Sequence, residues 1–569
     1  MSLSDLLAVA RGDRPAQLAL RRARLINVWS GETMLTDILI HDGQIAALGA
    51  GYTADESTDL AGLHVCPGFI DAHVHIESSL MTPPEYARAV VPRGVTTVIT
   101  DPHEIANVMG VPGILYMLDR AQGGPLNVYA NAPSCVPATH METSGARLEA
   151  DDLAPLLDHP WVIGLAEVMN YPGVINGDPS MLAKLDAFAD RVRDGHAPAV
   201  SGKPLNAYVA AGIGSDHECT TAEEAHEKLR LGLTIFIREG TTTRNVSALL
   251  PLVTPANHTQ MCFCTDDRQP NTLMDEGGVD DCVRQAIAYG IDPIMAIRMA
   301  TLNPARFFHL HHLGVIAPGK QADLVVLGDL DRLSAEMVFH RGRLVAEEGR
   351  MIVEKPRLPA APLPNTVRID LDKLDLRIPA RGKHIRVIGA PPDQVVTPHL
   401  SAEAATSNGY AVSDTTRDLL KIAVVERHHA SGKIGLGFIQ GFGLQRGALA
   451  GTVGHDHHNL IVVGVDDESM KTAIRAVAKL GGGLVAAVGD RVLGQLALEV
   501  AGLMTEQPLE SVRRAYDALI EAARALGSEL PDPFMTMSFM GLEVIPSLKL
   551  TDLGLVDVEQ FALVDLWLD

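Results

Sequence analysis

The order of elements predicts an α/β chain: a (β/α)8 TIM-like barrel inserted into a small split β-sandwich domain, followed by a C-terminal α/β domain. Three observations carry this reading. Residues 17–66 read as short strands, and a second β-rich block returns at 322–345. Between the blocks, short apolar runs alternate with helical patterns, as parallel βα units do. Pro356, Pro359, Pro362 and Pro364 then mark a linker before a third region. The expected boundaries are 1–66 with 313–360 for the composite β domain, 67–312 for the barrel and 365–569 for the C-terminal domain.

Each element has a local reason. In the first block, Leu18–Leu20, Arg24–Val28, Asp37–Ile40 and Gln44–Leu48 are strand-like, punctuated by Gly31, Gly43 and Gly49. The second block supplies Ala322–Leu327, Met337–His340 and Arg343–Val345. In the insertion, runs such as Val95–Thr100 and Val162–Ala166 suit strands buried on both faces. Eight such strands are expected to end at His75, Asp101, Pro133, Glu167, His196, His217, Glu239 and Asp266. Ala222–Leu231 reads as a helix opened by Thr221, with Glu224 three residues on as a capping box. In the third region, Ile461–Val465 is a strand and Leu509–Leu526 a helix begun by Pro508.

Bulk properties exclude several classes. The net charge of −23 argues against nucleic-acid or anionic-membrane surfaces as partners. No apolar run reaches the roughly 18–20 residues of a bilayer span. Met1–Arg14 lacks the cationic and apolar regions of a signal peptide. Cys66, Cys135, Cys219, Cys262, Cys264 and Cys282 are scattered without a C-x-x-C pair, which suits a reducing cytoplasm.

The chemistry starts at Pro67-Gly68-Phe69-Ile70-Asp71-Ala72-His73-Val74-His75. Side chains two apart on a strand share a face, so His73 and His75 can reach one cation beyond the strand end. Glu167, His196, His217 and Asp266 fall at later strand ends, on the face where barrels of this kind do their chemistry. Four imidazoles and two carboxylates suit two divalent ions, with Glu167 as the bridge. Asp266 would touch both metal and water and take a proton, and Glu218 would shuttle it to the leaving group. Asp101-Pro102-His103-Glu104 ends the second strand; His103 and Glu104 either contact substrate, bind an accessory metal or open a helix. His455, Asp456, His457 and His458 are metal-like in composition, with a solvated turn as the alternative.

Several motifs carry a resemblance: PGFIDAHVHIES, GLAEVMNYPG, DGHAP, LNAYVAAGIGSDHE and CTDD, then Ala300–Ala305, Gly314–Leu324 and Gly451–Asn459. Together they resemble the adenine deaminase branch of the amidohydrolase superfamily over nearly the whole chain. Many superfamily members bridge their metals with a carboxylated lysine; Glu167 stands in that role here, as in that branch. The resemblance implies hydrolysis of adenine to hypoxanthine and ammonia in purine salvage, by hydroxide activated on two divalent ions. It favours iron(II) or manganese(II), with zinc(II) compatible with the ligand types. Glu218 would then protonate N1 of the purine while Asp266 handles the hydroxide proton. His457 would belong to a segment covering the pocket. A homodimer or higher homo-oligomer is expected. Two other readings stand beside it: an amidohydrolase acting on another purine-like or cyclic amide substrate, and an inactive scaffold. The scaffold would have lost ligands, and none of the six is missing.

Overall fold

A computed structural model describes residues 3–354, 363–392 and 395–569. Pro356, Pro359 and Pro362 of the expected linker lie outside the described residues.

The first block folds as Ala16–Asn27 and Glu32–His41 in an antiparallel pair, with Gln44–Leu48 beyond. The two strands expected at Leu18–Leu20 and Arg24–Val28 are one continuous strand. A bulge between Leu20 and Ala23 breaks its register, with Arg22 at φ 52. Asp37 stabilises that bulge by accepting the Arg22 backbone N–H at 2.9 Å. The chain returns as Leu324–Leu327, antiparallel to His64–Pro67, so both sequence segments share one nine-stranded sheet. Leu20, Leu25, Ile38, Ile40, Val65, Leu324, Val326 and Phe339 pack as its core.

From Pro67 the chain runs directly into the first barrel strand, Phe69–Val74. Gly68 is needed at that step, because a Cβ there would lie 2.1 Å from Thr96 Oγ1. The following strands are Val95–Thr100, Asn127–Ala132, Val162–Val168, Val192–Gly195, Ser215–Asp216, Thr234–Arg238 and Met261–Cys264. The first five form one parallel sheet and the last three another. Gly214 N–H donates to Arg193 O at 3.0 Å across one seam. At the other, Asp266 N–H donates to His73 O at 3.0 Å and His75 N–H to Asp266 O at 3.1 Å. The seam that closes the barrel therefore carries three of the expected metal ligands. The helix after the sixth strand spans Ala222–Arg230. Thr221 caps it, and Glu224 turns to the Thr220 N–H instead of that of Thr221.

The C-terminal domain is sheet-rich. Eight strands form one sheet, mostly antiparallel, with helices on both faces. Leu420–Val425 shows the period-2 logic. Ala423 and Val425 pack with Met470, Ala473, Ile474 and Val477 of helix Asp467–Leu480. Leu420, Ile422 and Val424 face a core that is continuous with the barrel's. Helix Leu509–Leu526 joins this core through Val512, Tyr516, Leu519 and Ala523, spaced four and three residues apart. Gly527 ends it at φ 115, the left-handed conformation that glycine favours. The domain is tied to the barrel mouth by backbone bonds, including Thr505 N–H to Leu80 O at 3.0 Å. Among the described residues, no helix is long and apolar enough to cross a membrane.

Lys549 is fully buried in this domain, and its ammonium donates to Val395 O at 2.9 Å and Phe539 O at 3.0 Å. Burial pushes its pKa down to about 7. Between that value and its ordinary value the unfolded chain binds the extra proton, so this group adds stability as pH rises above about 7. Lys549→Met is expected to flatten the rise in stability between about pH 7 and 10, measured by urea denaturation at several pH values. An unchanged slope would show that Lys549 is charged in the fold.

Candidate metal centre

The H-x-H spacing does what strand geometry requires. His73 lies in the first strand and His75 just past it, with their Nε2 atoms 3.2 Å apart. Each ring is aimed from behind: His73 Nδ1 lies 2.9 Å from Asp194 Oδ2, and His75 Nδ1 lies 2.9 Å from Asp101 O. With Nδ1 as the donor in both, the Nε2 lone pairs face the centre of the barrel mouth.

Glu167, near the end of Val162–Val168, sits between two groups of imidazoles. Its Oε1 is 3.2 Å from His75 Nε2 and 3.9 Å from His73 Nε2. Its Oε2 is 2.6 Å from His196 Nδ1 and 3.2 Å from His217 Nε2. Asp266 Oδ1 closes the first group, 3.1 Å from His75 Nε2 and 3.7 Å from His73 Nε2. All six side chains are buried. Burial would push the Glu167 carboxyl up, but the His196, His217 and His75 imidazoles reverse this and hold it well below the usual range.

The donor set fits divalent cations. Buried groupings of His73, His75 and Asp266, and of Glu167, His196 and His217, each bring their ligand atoms within 4.8 Å of one another. The far nitrogens of these two rings, buried His196 Nε2 and His217 Nδ1, have no hydrogen-bond partner, so neither ring is held from behind as His73 and His75 are. Mixed imidazole and carboxylate ligands suit iron, manganese and zinc.

Glu218 follows His217 and turns into the same cavity, as do His103 and Glu104. His457 does not line it. His457 is fully buried, its Nδ1 accepts from Asn459 N–H at 2.9 Å, and its Nε2 packs over Gly541. His455 and Asp456 take the wall position instead, with Val395, Phe539, Leu542 and Ile545 of the same domain. The helix after the second strand starts at His103 with Pro102 as its N-cap. Asp101 turns from capping to meet His103 Nδ1 at 3.0 Å. Two larger surface cavities, of about 450 and 560 Å3, gather no comparable set of imidazoles and carboxylates.

Arg238 was not singled out from the sequence. It ends the seventh strand and forks onto Glu218, with Nη2 3.0 Å from Oε2 and Nη1 bonded to Oε1. The same Nη1 donates to Asp266 Oδ2 at 2.8 Å. Burial opposes ionisation of Glu218, but Arg238 outweighs it and holds that carboxyl below its ordinary value. One guanidinium thus sets the relative position of both acid–base candidates. The available signal was an arginine closing the apolar run Thr234–Ile237, one residue before the expected strand end at Glu239. Asp194, two residues before His196, was also missed; its role lies behind the ligands.

The fold and this centre define a metal-dependent hydrolase of the amidohydrolase class. Residues 64–345 match the amidohydrolase family, and residues 394–562 match the adenine deaminase C-terminal domain. An adenine deaminase of Desulfatibacillum aliphaticivorans is 50% identical over 565 residues, covering 99% of each chain. One from Methanothrix thermoacetophila is 48% identical over 573 residues, covering 100% of each. Adenine deaminase 2 of Carboxydothermus hydrogenoformans is 46% identical over 564 residues, covering 99% of each. The chain belongs to the amidohydrolase family, in the branch that carries the adenine deaminase C-terminal domain.

Arg238→Lys keeps the charge and loses the planar fork. We expect it to retain the metal content of the unsubstituted protein while its turnover falls about 10²-fold, the low end of what losing one positioned acid–base group costs. Elemental analysis and rate measured on the same preparation check this. Full turnover would mean that the fork does not position Glu218 and Asp266.

Proposed function

We propose that this protein hydrolyses adenine to hypoxanthine and ammonia, in purine salvage. The observation that carries the reading is Glu167, set between two imidazole pairs beside two carboxylates joined by one arginine. Full-length similarity to chains named adenine deaminase supports the choice of substrate. Two divalent cations are the proposed cofactors, iron(II) or manganese(II), with zinc(II) also matched by the ligand types. His73, His75 and Asp266 would hold one, His196 and His217 the other, and Glu167 both. Bound there, the cations supply Lewis acidity and let water act as a nucleophile near neutral pH.

The chain's own residues move the protons. Glu218, paired with Arg238, rests as a carboxylate, so the proton it delivers must first come from the attacking water. It passes that proton to N1, which weakens aromaticity at C6 as the water oxygen bonds there. Asp266 takes the second water proton and hands it to the exocyclic amine. The C–N bond breaks, ammonia leaves, and C6 keeps the oxygen as the carbonyl of hypoxanthine. Phe539, Leu542 and Ile545 cover the cavity, and excluding bulk water strengthens each of these electrostatic contacts.

We also propose a homodimer or larger assembly in a reducing cytoplasm. The six cysteines are all buried and free, as such a compartment allows. Exposed Leu3, Leu7, Trp29 and Leu35 offer apolar area to a second copy.

The decisive experiment assays ammonia release by the metal-loaded full chain from a panel of purines and cyclic amides. Adenine is expected to turn over; release from a cyclic amide and none from adenine would overturn the reading. Two variants test the roles. Glu218→Gln is expected to lower kcat by about 10²- to 10⁴-fold with metal content near normal. Losing metal while keeping the rate per metal would make Glu218 a ligand instead. Glu167→Gln keeps the shape but not the charge, and elemental analysis is expected to find depleted metal. Undiminished metal and rate would remove Glu167 from the ligand set.

A further inference from the structure

A second group of metal-ligating side chains lies beside the centre, and the reaction described above does not use it. Glu104 belongs to the helix after the second barrel strand. His455, Asp456 and His458 belong to the C-terminal domain, in the turn after Ala448–Gly451. Glu104 Oε1 is 2.6 Å from His455 Nδ1 and 3.3 Å from His103 Nε2. Glu104 Oε2 is in contact with His458 Nε2. Asp456 Oδ1 lies 3.4 Å from His103 Nε2 and 3.8 Å from His455 Nδ1. None of these five residues is more than 3% exposed, so bulk water does not reach them.

The approaches are close, yet they are not hydrogen bonds. Both Glu104 oxygens, His103 Nε2, His458 Nε2 and Asp456 Oδ2 are buried without a hydrogen-bond partner. Native proteins rarely leave so many buried polar atoms unpaired in one place. A buried carboxylate is costly unless a positive charge meets it. Atoms that crowd together without pairing are what ligands do around a shared cation.

We infer that Glu104, His455 and His458 hold an additional divalent cation, with His103 and Asp456 beside them to complete its coordination. Imidazole with carboxylate selects a borderline ion such as manganese(II), iron(II) or zinc(II). Because Glu104 comes from the barrel and both histidines from the C-terminal domain, this ion would clamp the covering domain to the barrel mouth. The inference rests on the two-cation reading of the centre only for the total count. His458 does not line the central cavity, so it separates the two sites.

The test is elemental analysis of the full chain produced with manganese(II) and passed into metal-free buffer. Three manganese per chain are expected, falling to two in His458→Gln. Glu167→Gln is expected to lose central metal and keep the ion at the domain junction. A second readout is thermal unfolding, in which His458→Gln should lower Tm in manganese and match the unsubstituted protein after chelation. Equal manganese in the unsubstituted chain and a folded His458→Gln would overturn the inference, leaving Glu104 and His455 as a plain ion pair. If His458→Gln fails to fold, anomalous diffraction at the manganese edge decides. A peak among Glu104, His455 and His458 supports the site, and its absence from manganese-soaked crystals removes it.

Discussion

A buried carboxylate must be met by positive charge or by donors, and the barrel mouth is arranged around that requirement at Glu167. One oxygen faces the histidines of the first strand; the other faces those after the fifth and sixth. Neither pair could approach so closely if the strand ends were free to move. The barrel seam at His73, His75 and Asp266 supplies the rigidity, because hydrogen bonds that close the sheet are made by the proposed ligand residues themselves. The closing seam therefore fixes three of the six residues of the centre.

Outside this carboxylate, charge is handled in layers. Asp194 and the Asp101 carbonyl aim the rings of His73 and His75, which sets which nitrogen is free to bind. Arg238 serves Glu218 and Asp266 together, so the two groups proposed to move protons keep a constant spacing. Such shared donors suit a site whose groups must be positioned before substrate arrives.

The C-terminal domain completes the cavity. Its core is continuous with the barrel's, and Phe539, Leu542, Ile545, His455 and Asp456 form part of the cavity wall. A domain packed this way over a polar centre keeps solvent out, where fixed charges act most strongly. The cluster at Glu104, His455 and His458 lies on the line where the two domains meet.

The residues proposed as ligands, and the strands that lead to them, were legible in the sequence, because period-2 spacing, buried apolar runs and strand-end histidines are local patterns. The long first strand was not: Arg21 and Arg22 interrupt its apolar run, and only pairing with Glu32–His41 reveals a bulge instead of a turn. Arg238 was missed for a related reason. A lone arginine in a sequence reads as solvated charge, and its fork onto residues 20 and 28 positions away exists only once the barrel is closed. The C-terminal histidines mark the same limit. His455, His457 and His458 stand in one short motif, but which of them reaches the cavity depends on how the domain docks: His455 lines it, while His457 turns under Gly541. The sequence by itself determined the residue types and the strands that present them, since those follow from local chemistry. Only the tertiary structure decided which oxygen faces which ring, since that depends on contacts between segments far apart in the chain.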